Sequence, residues 1–428
     1  MHLISRVSIE GFWDSYDFDV AIDPNVTFFI GQNGTGKTTF INLLAAALTA
    51  DFKTLDRIPF QRITIHLIPQ KKGEKPSITV SKSRKKDRPF ELIDYRINRG
   101  TPNAKEIRFS LDDSEEQMIL RRLRHDQRYL EHHYRFQSGL TPVLSELVSV
   151  KWLSIHRTSP NDQLREDRAY ESTVDRKLES LSNDLVRYFA TLSRQKDDEI
   201  RAFQEYLFVS LIEHREDIDP FDKKRLGLVP QYTEALQTIF QELHVQRDTS
   251  SLLSNFSKRA AQYTKNSEQS ADTGLTSEEL IFRIGLYRIE DVVTRWEALQ
   301  DRLKMIFSQK DRFQEIADNL FQRKTLTFSE SNELVFRSRS GKPLTPQMLS
   351  SGEKQLLILM SEALLQREMP AIFIADEPEL SLHVLWQEQL VSSLRTLNPK
   401  AQIIAATHSP DIVGPLSKKA IDMESLVQ

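Results

Sequence analysis

Residues 31–38 read Gly31-Gln32-Asn33-Gly34-Thr35-Gly36-Lys37-Thr38, a complete phosphate-binding loop, with Thr39 counted beside them. Residues 26–30 before it are a short, mostly apolar run that fits a buried parallel strand. Residues 38–50 after it put Phe40, Leu43, Leu44 and Ala47 on one helical face. Strand, glycine-rich loop and helix is the context such a loop requires. The glycines let successive backbone N–H groups face phosphates, and Lys37 brings a point charge to the β- and γ-phosphates. The Thr38 hydroxyl is expected to ligate Mg2+. An ordinary glycine-rich turn is the competing reading, and the flanking elements disfavour it.

The companion motifs lie far downstream. Residues 371–375 are a buried-strand run that ends in Asp376-Glu377. Two carboxylates at a strand end are costly if buried and unpaired, and a cation resolves that cost. Asp376 is therefore expected to hold Mg2+, and Glu377 to be the general base that orients the attacking water. Leu349-Ser350-Ser351-Gly352-Glu353 opens a helix. It reads as a capping box, Ser350 with Glu353 three residues on. The same free amides also suit a γ-phosphate. His408 follows the final strand, 402–406, and is expected at the γ-phosphate. His383 either lines a dimer seam or caps the next helix.

The sequence has 428 residues, long for one domain. With 39% hydrophobic and 28% charged residues it suits a soluble, helix-rich protein. A net charge of −3 favours neither nucleic acid nor an anionic membrane, so either would need a local patch. The absence of cysteine excludes disulfides, thiolate metal sites and cysteine nucleophiles. No secretory leader or membrane span is read, so the expected location is the cytoplasm.

Residues 3–9 and 16–20 alternate as strands do, and 62–68, 77–80 and 91–97 suggest a small antiparallel lobe. Between them, 71–88 is basic. From about residue 112 the pattern is helical, interrupted by a strand-like stretch at 147–156 that returns to the core sheet. Apolar stripes run from Val174 to Leu192, from Tyr232 to Leu243 and from Leu286 to Ile306. They predict helix-on-helix packing in a stubby lobe too short for a long coiled-coil arm. Residues 246–275, rich in Ser, Asp and Lys, read as a mobile connection. A hairpin at 326–337, helices at 353–368 and 384–394 and two strands complete an alternating C-terminal part.

Together the four motifs resemble the ABC-type ATPases, specifically the SMC, RecF and OLD-like branch. The match covers 1–110 and 325–415, and Gln61 falls near the place of that branch's Q-loop glutamine. The resemblance implies an α/β fold: an ABC-type P-loop ATPase head with mixed and parallel sheets, flanking helices and a small antiparallel lobe. Residues 1–110 and 324–428 would be its two halves and 111–323 a mainly helical insertion. It further implies ATP and Mg2+ as cofactors and hydrolysis to ADP and phosphate. Assembly would be a homo-oligomer of ATP-sandwich dimers, with Ser350 and Gly352 acting in trans on ATP held by Lys37.

OLD nucleases carry a Toprim domain after the ATPase, and the stretch after His408 is too short for one. The layout is similar to standalone ATPases of bacterial anti-phage systems, the PARIS type first and the Septu type next. A separately encoded effector, a Toprim or HNH nuclease, is the partner this implies. The alternative is an SMC/RecF-like DNA-repair ATPase that clamps DNA, with residues 71–88 and 121–135 as contacts. These runs read equally as solvated charged faces, since 71–88 has no aromatic interleaving. A transporter subunit is disfavoured by the large insertion, and no membrane association is expected.

Overall fold

The computed structural model describes residues 1–84, 91–100, 106–110, 139–152, 173–212, 219, 222, 224–269 and 276–426. The fold is α/β, with antiparallel and parallel sheets, and divides into two compact units. Met1–Tyr188 with Arg312–Gln428 make one, and Phe189–Asp311 the other.

In the first unit, β1 (Ile4–Phe12), β2 (Tyr16–Ala21), β4 (Arg62–Leu67), β5 (Ser77–Arg84), β6 (Glu91–Asn98) and β7 (Ile107–Ser110) form an antiparallel sheet in the order β2-β1-β4-β5-β6-β7. Alternation puts Ile63, Ile65 and Leu67 of β4 in the core and leaves Arg62 and His66 outside. The second sheet is wholly parallel in its pairings. Its order is β14 (Ala420–Asp422), β3 (Val26–Ile30), β13 (Ala401–Ala406), β12 (Ala371–Asp376), β8 (Val150–Trp152). Its central strands are buried almost end to end and mostly apolar, as a sheet covered on both faces requires. A smaller antiparallel sheet joins β9 (Lys324–Phe328), β10 (Leu334–Ser338) and β11 (Pro343–Leu344).

Helix α1 (Lys37–Thr49) is buried on nearly every side, from Phe40 through Leu48, as a helix packed between layers must be. Its core is continuous with Ile4, Ile65 and Tyr95 of the antiparallel sheet and with Ile372, Ile374 and Ile404 of the parallel one. Two buried polar side chains pin these layers. The Tyr95 hydroxyl donates to the Ala47 carbonyl at 3.1 Å. Gln402, fully buried, accepts from Ile4 N at 2.8 Å and donates to the carbonyls of Ile4 (2.7 Å) and Asp23 (2.9 Å).

Register then fixes the site. Asp376 pairs with Ala406, Ala406 with Phe29, and Asp422 with Ile30. The chain therefore leaves β3, β12, β13 and β14 from one edge of the sheet, where α/β proteins bind ligands.

The helical part differs from its sequence reading. Helix α3 (Thr173–Ile212) has 40 residues and α6 (Ser277–Leu320) has 44. At 1.5 Å per residue these are about 60 and 66 Å long, so the expectation of short helices is corrected. Their apolar rows run past the stripes read from sequence, to Phe203 in α3 and to Phe313, Ala317 and Leu320 in α6.

Residues 249–269 are not a connection but a helix, α5 (Thr249–Gln269). Leu253, Phe256, Ala260 and Tyr263 recur every three or four residues, and Ala260 packs with Leu226, Val229 and Leu286 while Phe256 and Tyr263 flank that cluster. Polar composition hid that stripe. Within the second unit, α4 (Val229–Glu242) joins the row Tyr232 and Ile239 to Phe203, Val293, Trp296 and Leu299. Residues 112–138, 153–156 and 270–275, on which further expectations fell, lie outside the described residues.

Candidate nucleotide site

Gly31 follows β3 directly, and Gly34 and Gly36 hold left-handed backbone angles, φ +89° and +90°. A β-carbon at Gly36 would meet the rings of Trp13 (3.0 Å) and Phe12 (3.1 Å), so space as well as φ demands glycine there. Gly36 caps α1 without any side-chain hydrogen bond. The first amides of α1 thus lack intrahelical partners and remain available to an anion. Asn33 and Gly34 are exposed, whereas Thr35, Thr38 and Thr39 are half-buried. The Thr35 hydroxyl braces the loop by donating to the Gln32 carbonyl at 2.9 Å.

Lys37 is buried and curls back over the loop. Its ammonium donates to the carbonyls of Gly31 (2.8 Å) and Gln32 (2.7 Å). Burial pulls its pKa below the ordinary value, while the carboxylates of Glu377, Asp376, Glu424 and Asp422 oppose that shift. A buried cation facing this much negative charge is poised for exchange onto a polyanionic ligand.

The Thr38 hydroxyl donates to Asp376 Oδ1 at 2.9 Å, across 338 positions of sequence. This pair fits a hard divalent cation such as Mg2+, which takes few protein oxygens and completes its shell with substrate phosphate and water. Among the described residues no group of three or more His, Asp or Glu could hold a metal ion.

Glu377 has a left-handed backbone, φ 49°, fixed by its amide, which donates to the Ala406 carbonyl at 2.8 Å. Among the described residues its carboxylate makes no hydrogen bond or ion pair, so it is free to take a water. His408 is exposed one strand away, and its backbone amide donates to Glu379 Oε1 at 2.7 Å. The structure thus brings Lys37, Thr38, Asp376 and Glu377 together, with His408 on the same edge.

Ser350 and Glu353 form a complete capping box at the start of α7 (Ser351–Leu365). Glu353 Oε2 accepts from the Ser350 amide and hydroxyl, each at 2.8 Å, while Oε1 pairs with Lys324. Burial alone would raise the Glu353 carboxyl, but Lys324 and the Ser350 donors outweigh it and hold it below its usual value. Gly352 is buried against the turn after β12, beneath the Ser381 carbonyl, and Ser351 is exposed. Among the described residues, 350–353 make no hydrogen bond or ion pair to the loop at 31–38. His383 caps α8 (Val384–Leu397), accepting from Leu385 N at 3.3 Å. Gln61 is exposed and lies over Gly11, with no hydrogen bond from its side chain to the loop among the described residues.

Sequence reasoning missed several neighbours. Trp13, with φ 52°, stacks on Phe12 at 5.0 Å and closes over Gly36. Glu424 accepts from Gln32 N at 3.1 Å. It reaches the loop because β14, only three residues long and too short to read from periodicity, pairs with β3. Glu379 had a visible signal, a third carboxylate just past Asp376-Glu377.

A loop, a helix and two carboxylates on one sheet edge occur in many nucleotide-binding proteins. The extent of similarity is decisive here, since the AAA ATPase domain family matches residues 3–413. The chain belongs to the AAA ATPase domain family. One curated relative of this AAA ATPase is the Septu protein PtuA of Bacillus thuringiensis, 40% identical over 47 residues. That match covers 11% of this chain and 12% of PtuA, so the chain spans only a small part of that relative's length.

Among solved structures, the AAA ATPase is similar to an Smc head domain with an extended coiled coil, bound to the C-terminal domain of ScpA and derived from Pyrococcus furiosus. The TM-score is 0.41 at 11% identity, covering 100% of this chain and 95% of that one. An Smc head with coiled coil and joint from Pyrococcus yayanosii gives 0.34 at 15% identity, covering 96% and 93%. Among the described residues no helix is long and apolar enough to cross a membrane.

Proposed function

We propose that this chain binds Mg·ATP on the loop at 31–38 and hydrolyses it to ADP and phosphate. The observation that carries the reading is the Thr38–Asp376 hydrogen bond, 2.9 Å, which joins the phosphate loop to the strand-end carboxylates. Lys37 releases its two loop carbonyls and turns to the β- and γ-phosphates. Thr38 and Asp376 would hold Mg2+, which would supply charge neutralisation to the phosphate oxygens. Glu377 accepts a proton from the attacking water, and His408 meets the γ-phosphate.

We further propose that the chain pairs with a second copy, in an ABC-type ATP sandwich. Ser350 and the α7 amides of one protomer would complete the site around Lys37 of the other. Ser350 and Ser351 are exposed at the start of α7, which supports this reading. So do the exposed apolar side chains Met348, Leu380, Val384 and Leu385, which flank Ser350 and Ser381. For Ser350 to donate to a phosphate its proton must leave Glu353, whose charge Lys324 still balances.

The biological reading is a sensor or scaffold ATPase of bacterial anti-phage defence that controls a separate effector nuclease of the Toprim or HNH kind. The short similarity to PtuA supports it, and the layout is also like the PARIS type. Against the DNA-clamp alternative, Lys82 of the basic stretch is engaged. It donates to the carbonyls of Asp56 (3.0 Å) and Ile58 (2.8 Å) and sits over Phe60. Lys85, Lys86 and Arg88 lie outside the described residues, as does 121–135.

Phosphate release with Mg·ATP tests the chemistry: Lys37→Ala should abolish turnover, and retained activity would contradict the loop assignment. DNA binding that weakens steeply with salt would favour the clamp instead.

A further inference from the structure

The turn after Glu377 carries a third carboxylate that faces inward. Glu379 Oε1 accepts from the Thr407 hydroxyl at 2.7 Å, from His408 N at 2.7 Å and from Ser409 N at 3.2 Å. Three consecutive residues converge on a single oxygen. The other oxygen, Oε2, is buried and has no hydrogen-bond partner among the described residues.

No regular element needs this contact. β13 ends at Ala406, and the short helix Pro410–Val413 is capped by the Ser409 hydroxyl, which accepts from Asp411 N and Ile412 N. Glu379 therefore serves the segment between them, whose middle residue is His408. Successive amides turned toward one anion form a nest, and a charged oxygen fixes such a nest more firmly than a neutral one.

The contact extends in both directions. The Ser409 hydroxyl donates to Gln387 Oε1 at 2.6 Å, and Gln387 Nε2 donates to the Leu382 carbonyl at 2.9 Å. On the other side, buried Gln355 of α7 donates to the Pro378 carbonyl at 3.0 Å. The Glu379 backbone is thus held from α7 and α8 while its side chain holds the His408 segment.

We infer that Glu379 is a positioning residue of the hydrolysis: it sets the direction in which His408 leaves the sheet and ties that direction to the helix that starts at Ser351. The inference rests on the reading of His408 as the γ-phosphate contact. It predicts that Glu379 acts through His408, and a merely structural residue would not behave so.

The test is steady-state hydrolysis and binding of a fluorescent ATP analogue with Mg2+. The proteins are wild type, Glu379→Ala, Glu379→Gln, His408→Ala and the Glu379→Ala/His408→Ala double variant. Glu379→Ala should lower kcat about tenfold or more while nucleotide Kd stays within about threefold. Added to His408→Ala, it should cost no more than about twofold further. Glu379→Gln keeps an oxygen for the same donors and should retain about a third or more of wild-type kcat.

Should Glu379→Ala not fold, Glu379→Asp, which withdraws the oxygen by one methylene, carries the same comparison. A kcat within about twofold of wild type for Glu379→Ala, or losses that multiply in the double variant, would overturn the inference while leaving the ATPase reading intact. A wild-type protein that hydrolyses no ATP would overturn both.

Discussion

Gly352 lies directly beneath the Ser381 carbonyl: a β-carbon on Gly352 would stand 2.3 Å from that oxygen and 3.3 Å from Trp386 Cζ3. The start of α7 and the turn after β12 are thus locked together through the only residue type that fits. Ser381 cannot easily retreat, because it holds φ 67° in a turn braced by the Leu380 and Leu382 amides. The glycine is accounted for by packing within one chain before any ligand is considered.

Gly352→Ala should therefore destabilise the protein by about 1–3 kcal/mol, the usual cost of forcing atoms into a filled site. It should also lower hydrolysis, since α7 must shift and Ser350 with it. Gly285→Ala is the control. Gly285 lies in α6 with open space around its β-carbon position, and alanine there should stabilise by about 0.5–1 kcal/mol. Urea unfolding of both variants checks the pair, and equal effects would contradict the packing argument.

The capping box makes a pH-dependent prediction. Glu353 titrates below its ordinary value of 4.5 in the folded chain. Its contribution to stability is therefore complete above about pH 4.5 and is lost as pH falls through the folded pKa. Glu353→Gln should be less stable than wild type at pH 7, with the gap closing in acid. A gap that stays constant from pH 7 to pH 3 would contradict the Lys324–Glu353–Ser350 arrangement.

Gln402 tests how the layers are joined. Gln402→Leu removes the partner of the buried Ile4 amide and carbonyl and of the part-buried Asp23 carbonyl. Each stranded group costs about 1–3 kcal/mol. The variant should lose several kcal/mol in urea unfolding, and a loss below about 1 kcal/mol would show that the two sheets do not depend on this residue.

How much of this was legible depended on whether the signal was local. The strand, glycine-rich loop and helix at 26–49 could be read because glycine, lysine and threonine stand at fixed spacing between two apolar segments. The strand that ends at Asp376 could be read because two carboxylates close an apolar run. The capping box at Ser350 and Glu353 was equally plain. Helix length was misjudged because charged surface at 194–199 interrupts the apolar row that Phe203 resumes, and because α5 carries few apolar residues. The packing of Gly352 under Ser381 could not be read, since it pairs a helix start with a turn 29 positions away. Glu424 reaches Gln32 across 392 positions, through a three-residue strand without periodicity.

The phosphate loop yields a two-part prediction. Lys37→Ala should weaken Mg·ATP binding and abolish turnover, because buried Lys37 supplies the loop's charge. Asp376→Asn should spare binding of nucleotide without metal but remove its enhancement by Mg2+. Titrating a fluorescent nucleotide with and without Mg2+ separates the two. An unchanged Mg2+ enhancement in Asp376→Asn would remove Asp376 from the metal site.

We propose that ATP joins two copies of this chain and that Glu377 is needed to part them. Sizing Glu377→Gln with and without Mg·ATP measures it directly. ATP should shift the 49.7 kDa chain to a species twice its mass, or double whatever assembly exists without nucleotide. A second substitution, Ser350→Arg, should abolish that shift while leaving ATP bound. No change in mass on saturation with Mg·ATP would contradict the account.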